Sequence, residues 1–199
     1  MIELKQEMEK VILVGVQEQD GDDTERSLKE LEELVKTAGA SAVGVVIQKR
    51  ELIHPGTYVG KGKLEEIKEL LWETEASGIV CDDELSPAQL GNLRDELDVK
   101  IMDRTLVILD IFAARATTSE GKIQVELAQL KYRQSRLTGL GTAMSRLGGG
   151  IGTRGPGEKK LEMDRRLIKG RIAQLNRELK EVKRHREVAR EHRKKNRIP

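Results

Sequence analysis

Apolar residues fall in short continuous runs through the first half of the chain and in seven-residue steps through the second. Val11–Val16 and Ala42–Ile47 are runs of six residues, the form of strands buried on both faces; Gly78–Cys81 reads as a third, short strand and Val99–Met102 as a fourth. Between them the spacing turns helical. Leu28, Leu31, Val35 and Ala38 share one face of a segment that Asp22, Asp23 and Thr24 can cap and Gly39 can end. Leu64, Ile67, Leu70 and Leu71 mark a helix from about Gly62 to Ala76. Leu90, Leu93 and Leu97 follow a Ser86 cap with Pro87 at the first helical position. Leu106, Ile108, Leu109 and Phe112 follow an Asp103 cap. Strands alternating with helices predict an α/β fold, a small parallel sheet flanked by helices. The pattern leaves the strand order open.

From Thr117 the period changes. Thr117 and Glu120 fit a capping box, and Ile123, Leu127, Leu130, Gln134 and Leu137 follow at alternating steps of four and three. Leu161, Ile168, Leu175, Val182 and Ala189 recur every seven residues, with Ile172 and Leu179 between them. Two such stripes predict a long antiparallel coiled-coil helical hairpin, its second helix running from Glu158 to about Asn196, or ~58 Å. Gly170 weakens that helix by about 1 kcal/mol relative to alanine. The expected domains are an α/β subdomain, 1–117, and a hairpin subdomain, 118–199, with a glycine-rich loop at 138–157. The Asn196–Pro199 end reads as the start of a further strand, as in a chain that continues.

Eight of the twenty residues in 138–157 are glycine, and Arg146 and Arg154 are the charges among them. Such a segment loses much entropy on ordering and buries little, so a functional tip is expected. Charge sharpens this. Residues 131–199 carry 21 Lys/Arg against 7 Asp/Glu, leaving 15 against 27 in residues 1–130. That asymmetry predicts an anionic partner, foremost nucleic acid, for the basic part. Gly148, Gly149, Gly150, Gly152, Gly155 and Gly157 offer backbone N–H groups to phosphate oxygens. Arg136, Arg146, Arg154, Lys159, Lys160, Arg165 and Arg166 supply charge, as do Lys169 and Arg171. Residues 182–197 are basic nearly all round, as in a nucleic-acid contact or a junction helix. Cys81 is the only cysteine, which excludes a disulfide framework. Without a long apolar run or signal peptide, a cytoplasmic protein is expected.

Other chemistry is weaker. The glycine string lacks G-x-x-x-x-G-K-[ST], and a helix, not a strand, precedes it, so neither a P-loop nor a dinucleotide fingerprint is present. Gly60, Lys61, Gly62 and Lys63 follow a strand and open a helix, where a phosphate or nucleotide could bind. A glycine-rich turn with surface lysines is the simpler reading. Asp82, Asp83, Glu84 and Asp103 sit at strand ends, where caps and turns explain them better than Mg2+ does. His185 and His192 have no third ligand nearby, so no metal site is expected. No catalytic arrangement stands out.

Gly121–Leu130 (GKIQVELAQL), Leu147–Glu158 (LGGGIGTRGPGE) and Asp164-Arg165-Arg166 strongly resemble the N-terminal region of the HflX family of translational GTPases, as do Tyr58–Lys63 and Asp103-Arg104-Thr105. The resemblance spans about residues 10–199. It implies an α/β subdomain followed by a helical hairpin, and binding to the large ribosomal subunit with the glycine-rich loop reaching toward the peptidyl transferase centre. It implies a parent protein that splits stalled or idle ribosomes, notably under stress. By the same carry-over Gly148–Gly157, with Arg146 and Arg154, contact rRNA. The family's GTP-binding motifs do not occur in these residues, so GTP and Mg2+ are expected of a G domain following the long helix. No cofactor is expected in this chain itself, and the protein is expected to be monomeric. The alternative reading is an ATP-binding or ATPase domain acting on RNA, with ATP at Gly60–Lys63 or the glycine loop. A third makes the hairpin a dimerisation or protein-interaction arm.

Overall fold

A computed structural model describes residues 8–19, 23–147 and 156–195, except the side chains of 138–162. The elements are β1 (Glu9–Gln17), α1 (Thr24–Thr37), β2 (Ala40–Lys49), α2 (Lys61–Thr74), β3 (Gly78–Cys81), α3 (Pro87–Leu97), β4 (Lys100–Asp103), α4 (Arg104–Arg115), α5 (Ser119–Leu147) and α6 (Pro156–Lys195). The chain divides into two compact units, Met1–Ile111 and Phe112–Pro199, with the division inside α4.

In the first unit four parallel strands pair in the order β2-β1-β3-β4. Each crossover runs through a helix, as parallel pairing requires. Alternate residues of a strand face opposite ways, so the sheet feeds two cores. Ile12, Val14, Ile79, Cys81 and Ile101 pack with Leu64, Ile67, Leu93 and Leu97 of α2 and α3. Val11, Leu13, Val80 and Met102 pack with Leu28, Leu31, Val35, Val107 and Ile111 of α1 and α4.

Several expectations shift. Ala42–Ile47 is not buried on both faces, because β2 is an edge strand: Val46 is buried and Val45 is half exposed. Val43 is an extra residue in its pairing, since Val11 opposes Ala42 and Ile12 opposes Gly44. Gly44 then admits Leu70, whose Cδ2 would lie 2.8 Å from an added Cβ. Ala38 is exposed past the end of α1, where Gly39 takes φ +92°. In α4 the buried pair is Val107 and Ile111, and Phe112 turns outward. Thr118, not Thr117, caps α5, its Oγ1 accepting from the Gly121 N–H at 3.0 Å. Ser86 and Gln89 form the full capping box at α3, with Pro87 in its first turn.

The largest correction concerns 138–157, which is not one twenty-residue loop. Residues 138–147 prolong α5 to Leu147, and Pro156 opens α6. Gly139 and Gly141 are isolated, and each weakens a helix by only about 1 kcal/mol. Residues 148–155, holding Gly148, Gly149, Gly150, Gly152, Arg154 and Gly155, lie outside the described residues.

In the second unit Ile123 and Leu127 of α5 close on Leu175 of α6, flanked by Leu130, Ile172, Leu179 and Val182. Glu120 meets Arg186 at 2.6 Å and Glu126 meets Arg171 at 2.8 Å. The Leu137 carbonyl accepts from Arg165 at 2.5 Å. Partners thus rise along α5 as they descend along α6. No helix among the described residues is long and apolar enough to cross a membrane.

Leu93 is 0% exposed and Trp72 is 87% exposed. Leu93→Ala should destabilise the first unit by about 2–5 kcal/mol, and Trp72→Ala by less than about 0.5 kcal/mol, read from urea unfolding followed by circular dichroism. An equal loss for Trp72→Ala would mean that the outer face of α2 is covered.

Candidate functional site

Because all four strands are parallel, their C-terminal ends share one edge of the sheet, where α/β folds place ligands. Here that edge is filled by a polar network. Asp103 is buried; its Oδ2 accepts from the Leu85 N–H and its Oδ1 from the Leu106 N–H, both at 3.0 Å. One carboxylate thereby caps α4 and ties down the β3–α3 connection. Arg104 donates through Nη2 to Asp82 Oδ1 (2.6 Å), the Ser27 carbonyl (2.7 Å) and Ser27 Oγ (2.8 Å). It links α1 to the end of β3.

Tyr58 lies on the β2–α2 connection, 1% exposed and at φ +67°. A tyrosine in the left-handed region is held there by its surroundings. Its hydroxyl donates to Asp83 Oδ2 at 2.5 Å. Around it, His54 Nδ1 accepts from the N–H groups of Gly56 (3.1 Å) and Thr57 (3.0 Å). Gln89 Nε2 donates to the His54 carbonyl at 2.9 Å, and Asn92 Nδ2 to the Gly56 carbonyl at 2.8 Å. Helix α3 thus locks the turn. Burial pushes the Tyr58 phenol and the Cys81 thiol well up from their ordinary values. Burial also raises the Asp83 carboxyl, with the Tyr58 hydrogen bond opposing it.

Asp82, Asp83 and Asp103 are therefore used as pairs and caps. Among the described residues no group of three or more His, Cys, Asp or Glu converges as metal ligands do. Gly60–Lys63 opens α2 as the sequence predicts; two of its groups are engaged, while Lys61 and Gly62 are exposed. The Gly60 N–H donates to Gln48 Oε1 at 2.7 Å, and Lys63 Nζ pairs with Glu66 at 2.6 Å. Gly60 is buried, with Arg50 Nη1 at 2.7 Å from where a Cβ would stand. Close packing of the Arg50 and Gln48 side chains explains this glycine without a nucleotide.

The second unit carries the other candidates. The Arg136 guanidinium sits 4.0 Å from the Tyr132 ring centroid, a cation–π contact. Arg165 reaches across to α5, and Arg171 is paired with Glu126 through two nitrogens, at 2.8 and 3.1 Å. Arg166 and Lys169 are exposed. Arg146, Gly157, Lys159 and Lys160 lie within α5 and α6, and Gly148–Gly155 outside the described residues.

Residues 25–113 match the family described as GTP-binding GTPase N-terminal, and residues 115–193 that described as GTP-binding GTPase middle region. Over all 199 residues the chain is 70% identical to GTPase HflX of Lacrimispora saccharolytica, covering 47% of that protein. Over 96% of its length it is 46% identical to GTPase HflX of Escherichia coli, covering 45%. This chain belongs to the HflX family. It spans about half the length of the curated relatives it matches. Among solved structures it is similar to a GTP-binding protein from Sulfolobus solfataricus in complex with GDP. That match has a TM-score of 0.59 at 26% identity, over 88% of this chain and 46% of the other. The SsGBP and GDP complex gives a TM-score of 0.61 at 25% identity, over 90% of this chain and 46% of that one.

The residues that carry the HflX resemblance in the first unit have structural work. Asp103-Arg104 builds the network at the sheet edge, and Tyr58 anchors the turn before Gly60. Hydrophobic periodicity misses these roles, because Tyr58 falls outside every apolar run and Arg104 looks like an ordinary first-turn cation. The resemblance at Asp103-Arg104-Thr105 was the available signal.

The Asp83 carboxyl lies above its ordinary 3.8 in the folded chain. The native state then holds that proton more tightly than the unfolded one. The contribution of Asp83 to stability therefore falls as pH rises from 3.8 through its folded value. Asp83→Asn should remove that slope. Tyr58→Phe should cost about 1–3 kcal/mol and move the slope to higher pH, since the lost hydroxyl favours the carboxylate. Denaturant unfolding across a pH series measures both, and an unaltered slope in Asp83→Asn would contradict the assignment.

Proposed function

We propose that this chain is the ribosome-binding part of an HflX-type GTPase that splits stalled or idle ribosomes in the cytoplasm. In this reading α5 and α6 act as an antiparallel coiled-coil hairpin whose glycine-rich tip enters the large subunit toward the peptidyl transferase centre. GTP and Mg2+ belong to the G domain of the full-length protein. The observation that carries the reading is the pairing of α5 with α6, the two helices that flank the glycine-arginine string in sequence, together with the 21 basic residues against 7 acidic over residues 131–199. Affinity comes from Lys and Arg on rRNA phosphates with release of counterions, and the glycine segment adapts to the RNA surface on binding. The seam of Ile123, Leu127 and Leu175 sets where the tip lands.

Cosedimentation with isolated large ribosomal subunits across a salt series tests this. Binding should weaken steeply with salt. Arg146→Ala combined with Arg154→Ala should flatten the salt dependence by about two in log–log slope, as for two lost phosphate contacts. Circular dichroism should stay unchanged. Unaltered cosedimentation of the double variant would sink the assignment of the tip.

A further inference from the structure

The stripe of α6 that packs on α5 changes character along its length. Ile172, Leu179, Arg186 and Arg193 occupy equivalent positions seven residues apart. The first two pack in the apolar seam. Arg186 marks its end, where its guanidinium pairs with Glu120 in the first turn of α5. Helix α6 continues nine residues further, to Lys195, about 13 Å at 1.5 Å per residue. Over that stretch every residue from Lys183 to Lys195 is exposed. At 100° per residue, Arg186, Arg190, Arg193 and Lys194 fall on one arc of about 100°, and together they line an open groove of about 590 Å³. Glu187 and Glu191 lie on the flank of this arc by the same periodicity.

We infer that Arg186, Arg190, Arg193 and Lys194 form a second nucleic-acid backbone site, separate from the glycine-rich tip and specific for phosphates rather than bases. Four cations within about two turns match the charge spacing of a phosphate backbone, and Arg190, Arg193 and Lys194 can each take one phosphate. A protein partner fits less well, since interface cores are apolar and poor in lysine, and this arc offers no apolar anchor. The groove is open, which suits a continuous polyanion rather than an enclosed nucleotide. From Arg166 to Arg193 the helix advances 27 residues, about 40 Å, so this arc stands well apart from the tip along one helix. This site does not depend on the tip's binding to rRNA.

The test is fluorescence anisotropy of the 199-residue chain with a labelled 20-base-pair RNA duplex across a salt series. Arg190→Ala, Arg193→Ala and Lys194→Ala together leave the Arg186–Glu120 pair intact. They should weaken binding at least tenfold at low salt and flatten the log–log salt slope by about two to three. A control of equal charge on the other side of α6, Arg177→Ala, Arg184→Ala and Lys195→Ala, should change affinity less than threefold. Arg146→Ala with Arg154→Ala reports separately on the tip. Equal losses in patch and control variants would reduce the effect to net charge and overturn the site. So would an unchanged slope in the patch variant, or equally tight, patch-dependent binding of polyglutamate, which would assign the groove to acidic protein. Circular dichroism of each variant should match the parent; a patch variant whose helicity fell would be replaced by Arg190→Gln with Arg193→Gln, with the same outcomes required.

Discussion

The second unit depends on a short apolar seam. Ile123, Leu127 and Leu175 are buried between α5 and α6, and Leu130, Ile172, Leu179 and Val182 extend the contact on either side. Helical stability in proteins comes mainly from packing one face, and α6 runs forty residues. The seam supplies that packing over only part of α6. Ion pairs bracket it, Glu126 with Arg171 and Glu120 with Arg186, and such exposed pairs add little individually. They do fix register: sliding one helix by a residue would separate both pairs and turn the leucines away from each other. Position along the rod is thus set by a few residues near its middle, while both ends are left to the charges.

The first unit is built on the opposite plan. Helices pack on both faces of its sheet, and β1 and β3, inside the strand order, are its most deeply buried strands. The polar work is gathered at the C-terminal edge, where parallel strands bring their ends together. There Asp103, Arg104, Asp82, Tyr58 and Asp83 bond to one another and to nearby backbone. Buried polar groups satisfied in this way rigidify a fold, and removing one partner exposes the other to an uncompensated desolvation cost. The carboxylates of that edge are bonded to the protein's own groups, whereas Lys61 and Gly62 stay exposed at the start of α2.

Much of this architecture was legible in the sequence, and the gaps have physical causes. Alternation of strands and helices identified the parallel sheet, and Ser86-Pro87 located the start of α3 to the residue. Strand order is set by which runs find neighbours on both sides, a tertiary matter that made Ala42–Ile47 look like a central strand when it lies at the edge. The glycine count of 138–157 overstated the break in helix, because Gly139 and Gly141 are spaced among residues that propagate α5. Thr117 and Thr118 are chemically equivalent as caps, and only the backbone geometry chooses between them. At the candidate site, Arg165 and Arg171 looked like free phosphate ligands by charge alone. Their partners, the Leu137 carbonyl and Glu126, sit about thirty and forty-five residues away in sequence, beyond what local pattern can see.

Charge division along the chain bears on how the proposed module would meet RNA. Residues 1–130 hold 27 acidic groups against 15 basic, and residues 131–199 reverse the sign with 21 basic against 7 acidic. A polyanion therefore attracts one part and repels the other, which orients the encounter before any contact forms. Screening limits this to about a Debye length, roughly 8 Å at physiological salt, short beside an α6 of about 60 Å. Orientation must then come from the local sign along the rod rather than from the net dipole. A cationic arc at Arg186–Lys194 would matter on that scale: with charge concentrated only near Arg146–Arg166, the far part of the helix would have no electrostatic reason to lie along RNA. Two basic regions about 40 Å apart can hold a rod by both parts, because once one region is bound the other searches a small volume instead of free solution. In the proposed binding, the seam between them would make that second event intramolecular, since a flexible joint there would let each region bind without constraining the other.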